Sequence, residues 1–321
     1  MASFPVFDLN RYFAGSTRER KNYAKEIDVI CQKSGFLAIA NHGIEKSIIN
    51  NIWSSTEEFF ALSSEKKNES KVRFDGYPYG YMGPGKEALA ASKGISTPPD
   101  LKESFNGGPQ HKPSHLTDPD ALAFCYAETI WPNEPKNFKL AWIRYYTEME
   151  VLASKIMQIF AVALNLEESF FNSYINQPIS ALRALNYPVQ NQTPLTDQLR
   201  AGAHSDYGSL TILLPQPNSR GLEIMTPNGD WQEIPAKPDT FIVNIGDLMA
   251  TWTNDRWVST IHRVVNYDSN KKRQSIAYFH QPNWDAKIKC LPNCLHNNER
   301  PKYPTTQSGP YLMKKFQSTN R

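Results

Sequence analysis

His204-Ser205-Asp206-Tyr207-Gly208-Ser209-Leu210-Thr211-Ile212-Leu213-Leu214 joins a histidine and a carboxylate two residues apart to an apolar, β-rich run. Side chains alternate across a strand with period two, so His204 and Asp206 point to one face of an extended segment and can reach one metal ion. After fifty-five further residues, Ser259-Thr260-Ile261-His262-Arg263-Val264 offers a second imidazole on another short β-rich segment. Two imidazoles and one carboxylate on one side of an ion leave the opposite positions open, a set suited to non-haem Fe(II) oxygen chemistry. With seven histidines in the chain the spacing alone is weak. The apolar run that follows, with Gly208 at its start, places the ligands at the mouth of a strand.

Working outward, Phe241-Ile242-Val243-Asn244-Ile245-Gly246-Asp247-Leu248 is a second apolar stretch, broken at Gly246, leading through Trp252 to Trp257 towards His262. Beyond it, Arg273-Gln274-Ser275-Ile276-Ala277-Tyr278-Phe279 puts Arg273, Ser275, Ala277 and Phe279 on one strand face. A guanidinium fork and a hydroxyl then point together, and such a fork grips a carboxylate at two points. His280 falls on the other face unless a bulge intervenes. Upstream, Leu182-Arg183-Ala184-Leu185-Asn186-Tyr187-Pro188 aligns Arg183, Leu185 and Tyr187, whose phenol can add a donor to the same acid.

Bulk properties fit an enzyme with a sizeable core: 321 residues, 40% hydrophobic. Thirty-five basic against thirty-two acidic residues, a formal charge of +3, is too balanced to imply nucleic acid as partner. Val151 to Leu164, the longest apolar helical stretch, contains Lys155 and Gln158 and falls short of the roughly 20 residues that span a bilayer, so no membrane segment is expected. The start Met-Ala-Ser-Phe-Pro lacks a secretion signal, which implies a cytoplasmic protein with reduced thiols and incidental sequons at Asn68 and Asn191. Cys290, Cys294 and His296 offer three ligands where structural zinc takes four, so zinc is not expected there.

Helical spacing covers Lys21 to Lys33, Glu45 to Leu62 and Asn137 to Asn165, the last with Leu140, Ile143, Tyr146, Met149, Leu152, Ile156, Ile159 and Phe160 as its apolar positions. Tyr77 to Gly94 and Pro98 to Pro119 are turn-rich. Within them, Gly80 to Lys86 has the spacing of a phosphate loop, but Glu87 replaces the Ser/Thr that holds magnesium and Pro84 removes an N–H, so a surface loop is the preferred reading. After Ile179 come short strands and turns such as Pro227-Asn228-Gly229-Asp230. The fold expected is α+β with a mainly β core: a double-stranded β-helix, or jelly roll, with flanking helices and a helical amino-terminal region.

Nearly end to end, the chain resembles the iron(II)/2-oxoglutarate-dependent dioxygenases of the isopenicillin N synthase-like family. Phe4 to Leu9, Ser34 to Ile44, Glu58 to Leu62 and Leu101 to Gly108 are similar to that family's amino-terminal region. The resemblance implies an amino-terminal dioxygenase region over 1–115, then the long helix and jelly-roll core over 116–321. It implies His204, Asp206 and His262 as iron ligands, and Arg273 and Ser275, helped by Tyr187, as the clamp on the far carboxylate of 2-oxoglutarate. The cofactors implied are Fe(II), 2-oxoglutarate and O2. The reaction implied is oxidation of a C–H bond of a small-molecule metabolite, as in secondary metabolism, with release of succinate and CO2. Hydroxylation is the default outcome, ahead of desaturation or ring closure. In one departure, many relatives carry Asn two residues before the tyrosine, where this chain has Leu185; its Asn186 is turned away by alternation.

Substrate candidates are Arg183, Leu185, Tyr81, Phe105, Trp252, Phe279 and His280. Arg183 either holds an anionic group of the substrate or pairs with a carboxylate of the protein. From the family, Tyr311 to Phe316 are expected to form a helix over the opening. The alternatives are a 2-oxoglutarate-independent non-haem iron oxidase, a non-catalytic metal-dependent binding protein, and a zinc hydrolase, which leaves Arg273 and Ser275 without a task. Oligomeric state is not legible.

Overall fold

The structure, a computed structural model, describes residues 4–190, 193–267, 270–295 and 299–319; Asn191 and His296 lie outside the described residues. Two sheets form its centre. The larger runs in the order β1 (Val6–Asp8), β2 (Phe36–Ala40), β10 (Phe241–Ile245), β7 (Leu210–Pro215), β12 (Arg273–His280), β5 (Ala181–Tyr187), β4 (Glu103–Gly107) and β3 (Gly80–Met82). The smaller runs β6 (Ala201–His204), β11 (His262–Val264), β8 (Leu222–Met225) and β9 (Trp231–Glu233). Apart from the parallel β1–β2 pair, neighbours in both sheets are antiparallel. A short ribbon joins β13 (Lys287–Ile288) to β14 (Thr306–Gln307).

Helices are α1 (Leu9–Phe13), α2 (Thr17–Lys33), α3 (Lys46–Ala61), α4 (Ser64–Asn68), α5 (Pro119–Ala123), α6 (Phe138–Ala163), α7 (Asp247–Trp252) and α8 (Ser308–Thr319). A capping box between Ser16 and Glu19 starts α2. In α6 the buried stripe runs through Phe138, Trp142, Tyr145, Met149, Leu152, Ile156 and Phe160. Leu140, expected on that stripe, is 63% exposed because it lies off the i, i+3, i+4 rows that these residues define. Among the described residues, no helix is long and apolar enough to cross a membrane.

Period-two alternation gives the large sheet two different faces. Leu182, Ala184, Ile276 and Tyr278 join the core beneath α2, α3 and α6, while Leu185, Tyr187 and Ala277 join a second cluster with Phe36, Ile242, Ala201, Leu222, Ile224 and Val264 between the sheets. This is the jelly roll expected, with its site on the inner face. The segment Leu101 to Gly108, matched to a helical region, instead supplies β4, because Phe105 and Ser104 each need a different layer to pack against.

Candidate active site

His204 ends β6 and His262 begins β11, and the two are directly opposed in antiparallel register. Opposed residues share a face, so both rings point inward, with centroids 4.3 Å apart. The register shifts between His262 and Val264, an irregularity that lets the strand end re-aim its side chain. Asp206 lies in the turn after β6, and its Oδ1 is 3.8 Å from His204 Nε2 and 3.7 Å from His262 Nε2. Among the described residues, these three form the group able to hold a metal.

The turn is fixed by contacts between backbones. A Cβ on Gly246 would meet the Gly208 carbonyl oxygen at 2.2 Å, and one on Gly208 would meet the His280 carbonyl oxygen at 2.4 Å. Both glycines are there for close approach. Bonds from Asp247 N to Asp206 O (2.7 Å) and Gly246 N to Ser209 O (3.1 Å) then lock the segment.

Each candidate ligand is held from behind. His204 Nδ1 is 2.7 Å from Gly202 O and His262 Nδ1 is 3.1 Å from Thr260 O, so each Nδ1 donates to a carbonyl and each Nε2 lone pair faces the centre. Asp206 Oδ2 accepts from Thr211 Oγ1 at 2.6 Å and Asn244 Nδ2 at 2.7 Å. Burial, with His262 and Lys102 adding to it, lowers the His204 pKa from its ordinary value against the opposing pull of Asp206 and the Gly202 carbonyl, the direction that favours the neutral imidazole a metal ligand requires. Burial pushes the Asp206 carboxyl up, but the imidazoles and these two donors outweigh it and keep the group below its usual range.

On β12, Arg273 stands opposite Tyr187 and Ser275 opposite Leu185. All are buried, and the Arg273 guanidinium lies 5.1 Å from the Tyr187 ring centroid. Burial lowers the Arg273 pKa from its ordinary value, and Tyr187 offsets part of the shift. Arg273 Nε and Nη1 are buried with no hydrogen-bond partner among the described residues. Such donors are costly unless a ligand satisfies them, and a planar carboxylate fits the fork.

Of the substrate candidates, Arg183, Leu185 and Phe279 share the inner face with the clamp. Arg183 pairs with Glu87 and donates to Ser104 Oγ at 3.0 Å. The other four are not brought to the site. Tyr81 and Phe105 are paired across β3–β4 on the helix side; Tyr81 donates to Glu103, and Phe105 packs within 5.5 Å of Phe59, Phe138 and Trp142. Trp252, on α7, packs at 5.0 Å from Phe171 and 5.2 Å from Tyr174. His280 takes the outer face that alternation assigns it, with Nδ1 2.6 Å from Ser209 Oγ. Asn186 also points outward and donates to Glu103 Oε1 at 2.8 Å. Replacing Phe105 with Ala is accordingly expected to cost about 3–5 kcal/mol of stability in denaturant titrations while leaving Fe(II) and 2-oxoglutarate binding intact. A loss below about 1 kcal/mol would contradict its place in the core.

Sequence reading gave no role to Asp100, Lys102, Thr211 and Asn244, and met Glu87 only as the residue that breaks the phosphate-loop pattern. Thr211 and Asn244 did carry a signal, as polar residues inside otherwise apolar strand runs. Near the mouth, α8 forms as expected: Phe316 packs 4.8 Å from Phe124 and 5.8 Å from Tyr207, and Lys315 donates to Asp247 at 2.7 Å. The four cysteines are buried and unpaired.

A jelly roll presenting two histidines and one carboxylate inward, beside a buried guanidinium with two donors unpartnered among the described residues, defines the class of non-haem iron oxygenases that bind a dicarboxylate co-substrate. The pattern of the 2OG-Fe(II) oxygenase superfamily matches residues 169–282, and that of the non-haem dioxygenase in morphine synthesis N-terminal matches residues 4–134. The chain is 30% identical to the 2-oxoglutarate-Fe(II) type oxidoreductase hxnY of Emericella nidulans, over 94% of this chain and 85% of that one. A full-length Neurospora crassa protein, solved in complex with alpha-KG and thymine, is similar with a TM-score of 0.85 and 30% identity, over 98% and 97% of the two chains. A putative 2OG-Fe(II) oxygenase family protein from Caulobacter crescentus gives 0.85 and 27%, over 99% of each. The chain belongs to the 2OG-Fe(II) oxygenase superfamily: it is a non-haem Fe(II)/2-oxoglutarate-dependent dioxygenase acting on a small-molecule metabolite.

Proposed function

We propose that His204 Nε2, Asp206 Oδ1 and His262 Nε2 hold the iron, and that Arg273 and Ser275, with Tyr187, hold the far carboxylate of 2-oxoglutarate. The observation that carries this reading is the pair of buried Arg273 donors, without a partner among the described residues, on the inner face of the large sheet, where the three side chains able to hold a metal are presented from the small sheet and the segment after β6. Iron with 2-oxoglutarate and O2 supplies oxidative decarboxylation to succinate and CO2, coupled to oxidation of a substrate C–H bond. The chain's own residues do the rest. The guanidinium orients the co-substrate, Leu185 and Phe279 exclude water, and the substrate lies along the inner face of β5 and β12 near Arg183. Hydroxylation is the outcome proposed. We also propose the division into 1–115 and 116–321, a cytoplasmic location, no membrane partner and, on the balanced charge of the chain, no nucleic-acid partner.

Anaerobic addition of Fe(II) and then 2-oxoglutarate tests the site: a weak visible charge-transfer band is expected in wild type and absent in His204→Ala and Arg273→Ala. Bound iron without a band in wild type would favour the 2-oxoglutarate-independent oxidase. A smaller effect is expected behind the carboxylate. Thr211 and Asn244 occupy Oδ2 and leave Oδ1 to the metal, so Thr211→Val or Asn244→Ala is expected to weaken Fe(II) binding about 10- to 100-fold by equilibrium dialysis. Thr211→Ser, which keeps the hydroxyl, is expected to stay close to wild type; equal affinity in all three variants would remove this role.

A further inference from the structure

On the inner face, beyond the iron and 2-oxoglutarate subsites, lies a cluster of four charged groups. Arg183 Nη2 donates to Glu87 Oε2, and Lys102 Nζ donates to Asp100 Oδ2 and lies 3.4 Å from Glu87 Oε2. Asp100 also accepts from Gly202 N at 3.0 Å and Leu89 N at 3.3 Å, which ties the cluster to β6 two residues before His204. Two anions meet two cations, so the corner carries no net charge. The cation that Arg183 offers in the sequence is thus already compensated in the fold. Burial opposes the Glu87 anion, but Arg183 and Lys102 hold its pKa down to about 2, and the compensation persists at neutral pH.

The corner nevertheless keeps capacity to bind. Arg183 Nε is buried with no hydrogen-bond partner among the described residues, while the side chains of Arg183 and Glu87 stay 15% and 23% exposed and so within reach of a ligand. Leu185 and Phe279 add apolar surface on the same face. A ligand C=O can accept from Arg183 and a neighbouring ligand N–H can donate to Glu87, two charge-assisted bonds that need no net charge on the ligand. A carboxylate would have to be desolvated against Glu87, a like-charge contact that selects against it.

We propose that Glu87 is a specificity-determining residue: paired with Arg183, it makes this corner a site for an uncharged substrate group with N–H and C=O side by side, such as a ring amide, and excludes carboxylates. This rests on reading the inner face as the substrate side of the oxygenase. The test is calorimetric titration of uracil, benzoate and benzamidine, three flat probes of similar size and different charge, into the protein loaded with Mn(II) and 2-oxoglutarate and into the metal-free protein. Mn(II) and 2-oxoglutarate are titrated separately, so failure of the cofactor reading is seen independently. Wild type is expected to bind uracil at least about tenfold more tightly than either charged probe. Glu87→Gln is expected to weaken uracil and strengthen benzoate by about tenfold, and Glu87→Asp to keep the wild-type order. Thermal unfolding of each variant confirms that it folds. The proposal is overturned if wild type prefers a charged probe, binds the three alike or binds none, or if Glu87→Gln leaves the order unchanged.

Discussion

His204→Ala is expected to lower Fe(II) affinity by more than about 100-fold, beyond what the loss of an outer partner costs, and to reduce succinate formation by about a thousandfold or more. The size follows from the number of ligands. Three side-chain atoms converge, and Asp206 cannot replace a lost imidazole by chelating, because Thr211 and Asn244 hold its second oxygen. Asp206→Ala is expected to behave alike. His204 ends β6 and its side chain is partly exposed, so the folded state is expected to survive, and circular dichroism with thermal unfolding checks this. If His204→Ala bound iron within about tenfold of wild type, the metal would have to lie elsewhere.

The second large effect falls on the co-substrate. Arg273→Leu is expected to raise the KM for 2-oxoglutarate by roughly 30- to 1000-fold, equivalent to about 2–4 kcal/mol for one half of a buried, hydrogen-bonded charge pair. Iron binding is expected to stay within about threefold of wild type, which separates a clamp from a structural residue. Arg273→Lys keeps the charge but loses the fork, so it should fall between the two. An unchanged KM in Arg273→Leu would leave those buried donors unexplained and remove the 2-oxoglutarate assignment from this strand.

Much of the site is legible in the chain because its logic is local. Arg273 and Ser275 and, on β5, Leu185 and Tyr187 are two residues apart, and covalent alternation places each pair on a shared face; His204 and Asp206 have the same spacing, but Asp206 lies past the end of β6 and meets His204 through the path of the segment that follows. The same rule set Asn186 and His280 apart, and the structure has both facing outward. Aromatic residues escaped this logic. Tyr81, Phe105 and Trp252 have the side chains of a substrate pocket and equally those of a core, and burial against α3, α6 or the Phe171–Tyr174 pair is decided by partners far along the chain.

What the sequence by itself determined is the local pattern: which residues share a strand face, and so which imidazoles, carboxylate, guanidinium and hydroxyl are available to act together. The tertiary structure alone decided which face is inner, and hence which aromatic side chains belong to the core. It also decided that Arg183 meets Glu87 across a separation of 96 residues and that Asn244 reaches Asp206 across 38. Alternation within a strand is imposed by the backbone at each residue. The register between strands and the pairing of charges across layers are fixed by packing among segments that the chain brings together only when it folds.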